Sequence, residues 1–197
     1  MDNPANILFP LALGIGLAAA TGFRIFIPLL MMGIGVRLGH IPVSDGFAWV
    51  ATTPALLMLA VAAFTEVVAY YVPLLDNLLD HAAGPAAIAA GILVSAAVLG
   101  NLDPMLKWTL AIIAGGGAAA ATQSTTTALR GSSTLFTGGL GNHALATGEI
   151  AGAVITSLLA MLLPYVTAIL VLLFIWLGWR LVMKWRQRSN QGSRPVT

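Results

Sequence analysis

Long apolar runs dominate this chain of 197 residues and restrict the folds that are open to it. The runs cover about 7–36, 54–75, 84–101, 105–129, 143–163 and 164–185. Each approaches or exceeds the ~20 apolar residues that an α-helix needs to cross ~30 Å of hydrocarbon. Only 8% of the residues are charged while 58% are hydrophobic, so a soluble domain could not cover its surface. The sequence therefore predicts an all-α integral membrane protein with six transmembrane helices.

The composition also argues against several functional classes. The chain has no cysteine and therefore no disulfide scaffold, and it has no basic face for nucleic acid. His40, His81 and His143 are scattered without the spacing of a metal site. No nucleophile and base stand in a recognisable pattern. We expect no metal, no cofactor, no nucleic-acid partner and no enzymatic activity.

Charge near the C-terminus predicts the orientation in the membrane. Five of the nine basic residues lie in the last 18 positions, and three tryptophans alternate with them. Such a belt is typical of a cytoplasmic interface. Since the number of spans is even, both termini are expected in the cytoplasm. The same reasoning places Arg130 in a cytoplasmic loop, and Arg37 and Lys107 on the opposite side.

The two halves carry a faint internal repeat. The segment from Gly14 to Thr21 aligns with that from Gly115 to Thr122, and each following span holds one glutamate, Glu66 or Glu149. Because three spans make up each half, the second half would be inverted relative to the first. The expected organisation is a first repeat at 1–102, a second at 103–186 and a basic cytoplasmic tail at 187–197. Small residues that merely allow close helix packing would also produce such an alignment.

Three ionisable residues lie inside the apolar runs. Arg24 is near the middle of the first, Glu66 is near the centre of the second, and Glu149 is about two turns into the fifth. A charge deep in a bilayer costs at least ~2.5–3.5 kcal/mol, so each needs a partner or a function. One cation cannot pair with two anions, and a second cation, a proton or water is therefore required. Alternatively, Arg24 and one glutamate form a structural ion pair, and the other glutamate reaches the membrane interface.

Helix-breaking and polar residues concentrate in the first span of each half. Gly22 and Pro28 offer a break in the first run, and three glycines from Gly115 precede a polar stretch in the fourth. Broken or kinked first helices that meet near the midplane are the expectation. Alternatively, the hydroxyls bond back to their own helix. The neutral ligands of a central site would be Thr21, Thr122, Gln123, Ser124 and Thr126.

Two further segments carry polar residues near helix ends. Residues 137–143 form a glycine-rich loop in which Asn142 would cap the fifth helix and backbone N–H groups would face an anion, although a tight connector is the simpler interpretation. Asp76 and Asp80, beyond Pro73, share one face of a short continuation of the second span. They are an interfacial face or the entrance for a cation.

The order of these features resembles a known family. It includes Gly22 to Pro28 with the following leucines, Glu66 to Pro73, and Thr-Gly-Gly-Leu-Gly-Asn at 137–142 followed by Glu149. This order is similar to that of small bacterial integral-membrane proteins grouped as a domain of unknown function. The resemblance covers roughly 10–175 and implies a multi-pass protein of the bacterial inner (plasma) membrane. It implies no activity.

These features favour a transporter or channel for a small solute or ion. Glu66 and Glu149 would coordinate the transported ion or couple its movement to that of another ion, and Arg24 would serve as counter-ion or anion-binding group. The neutral residues named above, together with Asn142, would complete the pathway. A lipid scramblase or flippase, and a scaffold or assembly factor without transport, remain open. The lipid bilayer and the solute are the expected partners. Small-residue faces would suit a homo-oligomer as well as the bundle interior.

Overall fold

The computed structural model describes residues 5–100, 102–138 and 141–191, with the backbone alone at 5–6, 73–81, 181–182 and 185–191. All regular structure in these ranges is helical, as the sequence predicts. One short 3₁₀ helix, Asp45–Ala51, is among the described elements. The longer helices are α1 (Ala5–Thr21), α2 (Phe26–Arg37), α3 (Thr53–Ala69), α4 (Pro73–Val98), α5 (Pro104–Thr137), α6 (Asn142–Leu162) and α7 (Pro164–Gln191).

Helix α1 is the centre of the bundle. It packs against α4, α5, α6 and α7, and its residues from Ala12 to Thr21 are buried on every side. Small side chains such as Ala18 and Ala20 allow these neighbours to approach closely. An apolar helix with no polar face satisfies its backbone internally, so it is stable at this central place.

Two helix starts follow from their sequence. Asp103 caps α5 by accepting the N–H groups of Met105 at 3.0 Å and Leu106 at 3.2 Å, with Pro104 as the first helical residue. Helix α3 is capped by Thr52, whose hydroxyl accepts the N–H of Ala55 at 3.4 Å. The predicted boundary at Pro164 is confirmed, because α6 ends at Leu162 and α7 begins at that proline.

The two first spans of the halves differ. The predicted break in the first run is confirmed, since α1 ends at Thr21 and α2 begins at Phe26. The predicted break in the fourth run is wrong. Helix α5 is continuous from Pro104 to Thr137, with a π-helical segment at Ala111–Gly116 where it crosses α4. A π segment absorbs one extra residue in a turn without ending the helix.

Pro73 begins α4 and does not lie within a continuation of α3, so the predicted placement of Asp76 and Asp80 on the second span is wrong. Proline is tolerated there because the first N–H groups of a helix have no intrahelical partner. The side chains of Asp76 and Asp80 lie outside those that the structure describes, and their role as an entrance stays a prediction.

By length and apolarity, α5 and α6 can each cross a membrane among the described residues. A third crossing would combine Asp45–Ala51 with Thr53–Ala69, which meet at 67°.

Candidate functional site at the helix break

The break between α1 and α2 places backbone groups inside the protein. The chain leaves α1 with Gly22 pressed against α5, where a Cβ would lie 2.6 Å from the carbonyl oxygen of Ala119. Any side chain at this position would force the two helices apart. The amides of Gly22 and Phe23 close the end of α1, whereas those of Ile25 and Phe26 open α2 and need other acceptors.

Glu66 supplies those acceptors from α3. One carboxylate oxygen accepts the N–H of Ile25 at 2.8 Å, and the other accepts that of Phe26 at 3.0 Å. Glu66 is 9% exposed, and its negative charge lies at the positive end of α2. A buried backbone N–H without a partner is costly. The glutamate therefore makes the break tolerable inside an apolar bundle.

Glu149 on α6 binds two arginines at once. Its Oε1 accepts the Nε–H of Arg130 at 2.8 Å, and its Oε2 accepts an N–H from Nη2 of the same side chain. Nη2 of Arg24 also lies 2.9 Å from Oε2. Arg24, Arg130 and Glu149 are 1%, 5% and 7% exposed, respectively. Bidentate pairing of this kind is the strongest geometry that an arginine and a carboxylate adopt.

Tyr70, which caps the C-terminal end of α3, completes the cluster. The Cζ atom of Arg24 lies 3.6 Å from the centroid of its ring, and that of Arg130 lies 4.5 Å from it. The negative face of an aromatic ring attracts a cation, most strongly where water is excluded. Tyr70 thus lowers the cost of placing two guanidinium groups around one carboxylate.

Among the described residues, two cations, Arg24 and Arg130, and two anions, Glu66 and Glu149, are buried in this region. Not every hydrogen-bond donor of Arg24 has an acceptor among the described residues. Arg24 donates to the carbonyl oxygen of Ala146 at 3.3 Å and forms an ion pair with Glu149, but its Nε and Nη1 are buried without a hydrogen-bond partner among the described residues. Two unused donors on a buried cation are costly unless an acceptor reaches them.

The hydroxyl groups predicted to line the site serve their own helices. Thr122 donates to Ala118 at 3.2 Å and Thr126 donates to Gln123 at 2.9 Å, both on α5. Thr21 donates to Ala18 at 2.7 Å and also lies 3.1 Å from the carbonyl oxygen of Ala87 on α4. These three threonines are buried; the hydroxyls of Thr122 and Thr126 bond within their own helix, and only that of Thr21 also reaches a neighbouring helix.

Two predicted ligands lie away from the interior. Ser124 is exposed and donates to Ala120 at 2.7 Å within α5. Gln123 is half-buried and donates to Thr127 at 3.3 Å on the same helix. Their side chains point along the helix surface, and this geometry does not bring them to the arginines.

The predicted capping role of Asn142 is wrong. Gly141 occupies the cap position of α6, and Asn142 is the first helical residue, with no side-chain bond that caps the helix. Its amide donates to Thr134 on α5 at 3.4 Å, while its Oδ1 is buried and has no hydrogen-bond partner within the described parts of the chain. Residues 139–140 lie outside the described residues, so the predicted anion loop stays a prediction.

Sequence reasoning missed Arg130 and Tyr70. The prediction that Arg130 lies in a loop is wrong, because α5 extends to Thr137 and carries this residue into the interior. The charge count allows a second cation, a proton or water as compensation, and Arg130 supplies a second cation. A further signal was present: Thr122, Thr126 and Arg130 are four residues apart in turn and therefore share one helix face.

A cavity of about 440 Å³ lies beside Glu66, between the start of α2, α3 and α4. Glu66 and Tyr70 line it together with mostly apolar residues. In the described parts of the chain, no three histidine, aspartate or glutamate residues come together as metal ligands would. The site is therefore a charged cluster with an apolar chamber beside it.

A family model covers nearly the whole of this architecture. The model described as Domain of unknown function (DUF4126) matches residues 11–184, which include α2 to α6 and most of α1 and α7. The chain therefore belongs to this family, as its sequence resemblance predicts. No match was found among curated proteins or among solved structures.

Proposed function

We propose that this protein is a membrane transporter or channel for a small solute or ion, and that the Arg24, Glu149 and Arg130 cluster is its central site. One observation carries the proposal: charged side chains from α3, α5, α6 and the α1–α2 break converge inside an apolar bundle. Charges in a membrane interior are expensive and mark ion or solute pathways. A helix break beside them is the usual place for a transporter site.

The organisation that supports this function is an inverted repeat with six crossings. The broken pair α1 and α2 would make the first crossing, and α3 to α7 would make the other five. The segment that ends α1 lies directly against the corresponding segment of α5, since Gly22 contacts the backbone between Ala119 and Gln123. Such contact at the centre is what two inverted halves require. Both termini would face the cytoplasm, with the protein in the bacterial inner membrane.

The chemistry of the cluster favours a small anion as the cargo. Two buried nitrogen atoms of Arg24, Nε and Nη1, have no acceptor among the described residues, and Tyr70 covers the face of the guanidinium group. An anion would satisfy those donors and would compete with Glu149 for the same cation. When the anion replaces Glu149 as the partner of Arg24, the ion pair between Arg24 and Glu149 would break, and anion binding would thereby open the cluster.

A flux measurement in liposomes tests this proposal. Purified protein is reconstituted, and entry of chloride, nitrate, formate or inorganic phosphate is compared with that of sodium and potassium. We expect anion flux above that of protein-free liposomes and a loss of at least about tenfold in Arg24→Gln, the equivalent of one charge-assisted hydrogen bond. Arg180→Gln is the matched control, because Arg180 is exposed beside Trp176 on α7. Equal anion flux in wild type and Arg24→Gln would contradict the proposal.

A lipid scramblase is the second candidate, and the cavity beside Glu66 favours it. Thr65, Ala82 and Ala86 on its rim are exposed, so the chamber opens on the flank of the bundle between α3 and α4. A lateral opening would admit a lipid head group, whereas a solute path would be enclosed. Bleaching of a fluorescent lipid by dithionite in the same liposomes separates the two. Lipid movement without anion flux would favour the scramblase.

A further inference from the structure

The cavity beside Glu66 has the size and lining of a ligand-binding site. Its volume is about 440 Å³, and the described residues around it include Ile25, Phe26, Glu66, Tyr70, Ala83 and Ala86. The wall along α3 and α4 consists largely of alanines, which leave space where longer side chains would fill it. Pockets with an apolar wall and one or two polar groups are typical of binding sites for small amphiphilic molecules.

Among the described residues that line this chamber, Glu66 is the charged one. Each of its oxygens accepts one backbone N–H, at 2.8 and 3.0 Å, and a carboxylate oxygen has room for a second donor. The bonds to Ile25 and Phe26 hold the carboxylate in place, so it needs little ordering when a ligand arrives. Arg24, the nearest described cation, is bound to Glu149 and stacked on Tyr70. The chamber therefore presents a fixed negative charge to its occupant.

We infer that this cavity binds an amphiphile with an ammonium head, which donates to Glu66 while its alkyl chain lies along the alanine wall of α3 and α4. A carboxylate or phosphate head without an ammonium group would face like charge. Long-chain amines and membrane lipids with a primary ammonium group share this chemistry. The site does not depend on anion transport, because it rests on Glu66 and the alanine wall and not on Arg24.

Photo-crosslinking in detergent micelles tests the inference. The probe is an alkyl chain that carries a diazirine and a primary amine, and its partner has the same chain and diazirine with a carboxylic acid. Labelled peptides are mapped by mass spectrometry. We expect the amine probe to label the walls of the cavity around Ala62, Ala69 and Ala83 about tenfold more than the acid probe, the equivalent of one charge-assisted hydrogen bond.

Two alanines of α4 give a matched pair of variants. Ala86 lines the cavity and Ala89 does not line it, while both are exposed on the same helix. Ala86→Leu fills the chamber and should reduce labelling about tenfold, the equivalent of the apolar contact that the chain loses. Ala89→Leu should label as wild type does. Glu66→Gln should abolish the preference for the amine, and Ala86→Leu keeps the test valid if that variant fails to fold.

Competition identifies the source of the ammonium group. Displacement of the probe by phosphatidylethanolamine, but not by phosphatidylcholine, would assign the cavity to a membrane lipid. Displacement by dodecylamine alone would assign it to a free amine. Either result supports the inference. Equal labelling by the amine and acid probes, or undiminished labelling of Ala86→Leu, would overturn it.

Discussion

Glu66 and Glu149 are buried to a similar degree, yet they bind different kinds of partner. Glu66 accepts two backbone N–H groups at a helix break, whereas Glu149 accepts hydrogen bonds from Arg130 and forms an ion pair with Arg24. Glu66 offsets the partial positive charges of two backbone N–H groups, whereas Glu149 offsets the full positive charges of two arginines. The same residue type therefore carries a different energetic weight in the two places.

The difference follows from the helices around each glutamate. Where α1 stops and α2 starts, the chain presents N–H groups that donate to a side chain of α3. Helix α5 has no such break and carries a cation, Arg130, to the corresponding level of the bundle. A break in a buried helix thus requires a side chain that accepts the freed backbone N–H groups. A continuous helix that carries a buried arginine instead requires a counter-ion for that arginine.

The largest loss of stability is expected for Glu149→Gln. Removing this carboxylate leaves Arg24 and Arg130 buried close to each other without their shared counter-ion, which costs about 3–5 kcal/mol. Titration with sodium dodecyl sulfate in mixed micelles measures the free energy of unfolding. Arg180→Gln, on the exposed surface of α7, should stay within about 0.5 kcal/mol of wild type. A smaller loss for Glu149→Gln than for Glu66→Gln would reverse the comparison.

A smaller loss is expected for Glu66→Gln. The amide keeps one oxygen that accepts an N–H, but its NH₂ group cannot accept the other, so one buried donor is left unpaired at about 1–3 kcal/mol. Hydrogen exchange gives the sharper readout. The amides of Ile25 and Phe26 should exchange faster in Glu66→Gln and should be unchanged in a control such as Ser157→Ala on α6. Unchanged exchange at both amides in Glu66→Gln would show that the break is held by other means.

Tyr70→Leu ranks third. Leucine fills part of the space but offers no negative face to either arginine, and the expected loss is about 0.5–2 kcal/mol. The same titration measures it. Tyr165→Leu on α7, a half-exposed tyrosine in contact with Phe9, serves as the control for removal of a ring elsewhere. Equal losses at the two tyrosines would mean that the ring at position 70 adds nothing specific to the arginine cluster.

The smallest effect is expected for Ser124→Ala. Its hydroxyl is exposed and bonds to the carbonyl oxygen of Ala120 on the same helix, so stability should change by no more than about 0.5 kcal/mol. Anion flux in liposomes should also be unchanged. A clear loss of flux with normal folding would return Ser124 to the pathway that the sequence predicts for it.

Several of these features can be read from the sequence because each has a local cause. The break near Gly22 follows from glycine and proline in a run that is longer than one crossing needs, and the start of α5 follows from Asp103 before Pro104. The cost of charge in an apolar run points to Arg24, Glu66 and Glu149. These predictions depend on single residues and their immediate neighbours.

Other features depend on how long a helix continues in the folded bundle. Polar residues from Thr122 onward end the apolar run, yet their hydroxyls bond within α5, and the helix extends to Arg130 and beyond. Hydropathy cannot distinguish such a helix from a loop. Tyr70 has no motif at all. Its role arises only from the end of α3 meeting the helix break.

A double-mutant cycle tests most directly the claim that Glu149 is shared by two arginines. Unfolding free energies are measured for Glu149→Gln, for Arg24→Gln, Arg130→Gln and Arg180→Gln, and for the three double variants that combine one of these arginine changes with Glu149→Gln. We predict coupling of at least about 1 kcal/mol for each arginine with Glu149, and none beyond about 0.5 kcal/mol for Arg180 with Glu149, because coupling requires contact. Additive losses for both buried arginines would contradict the account.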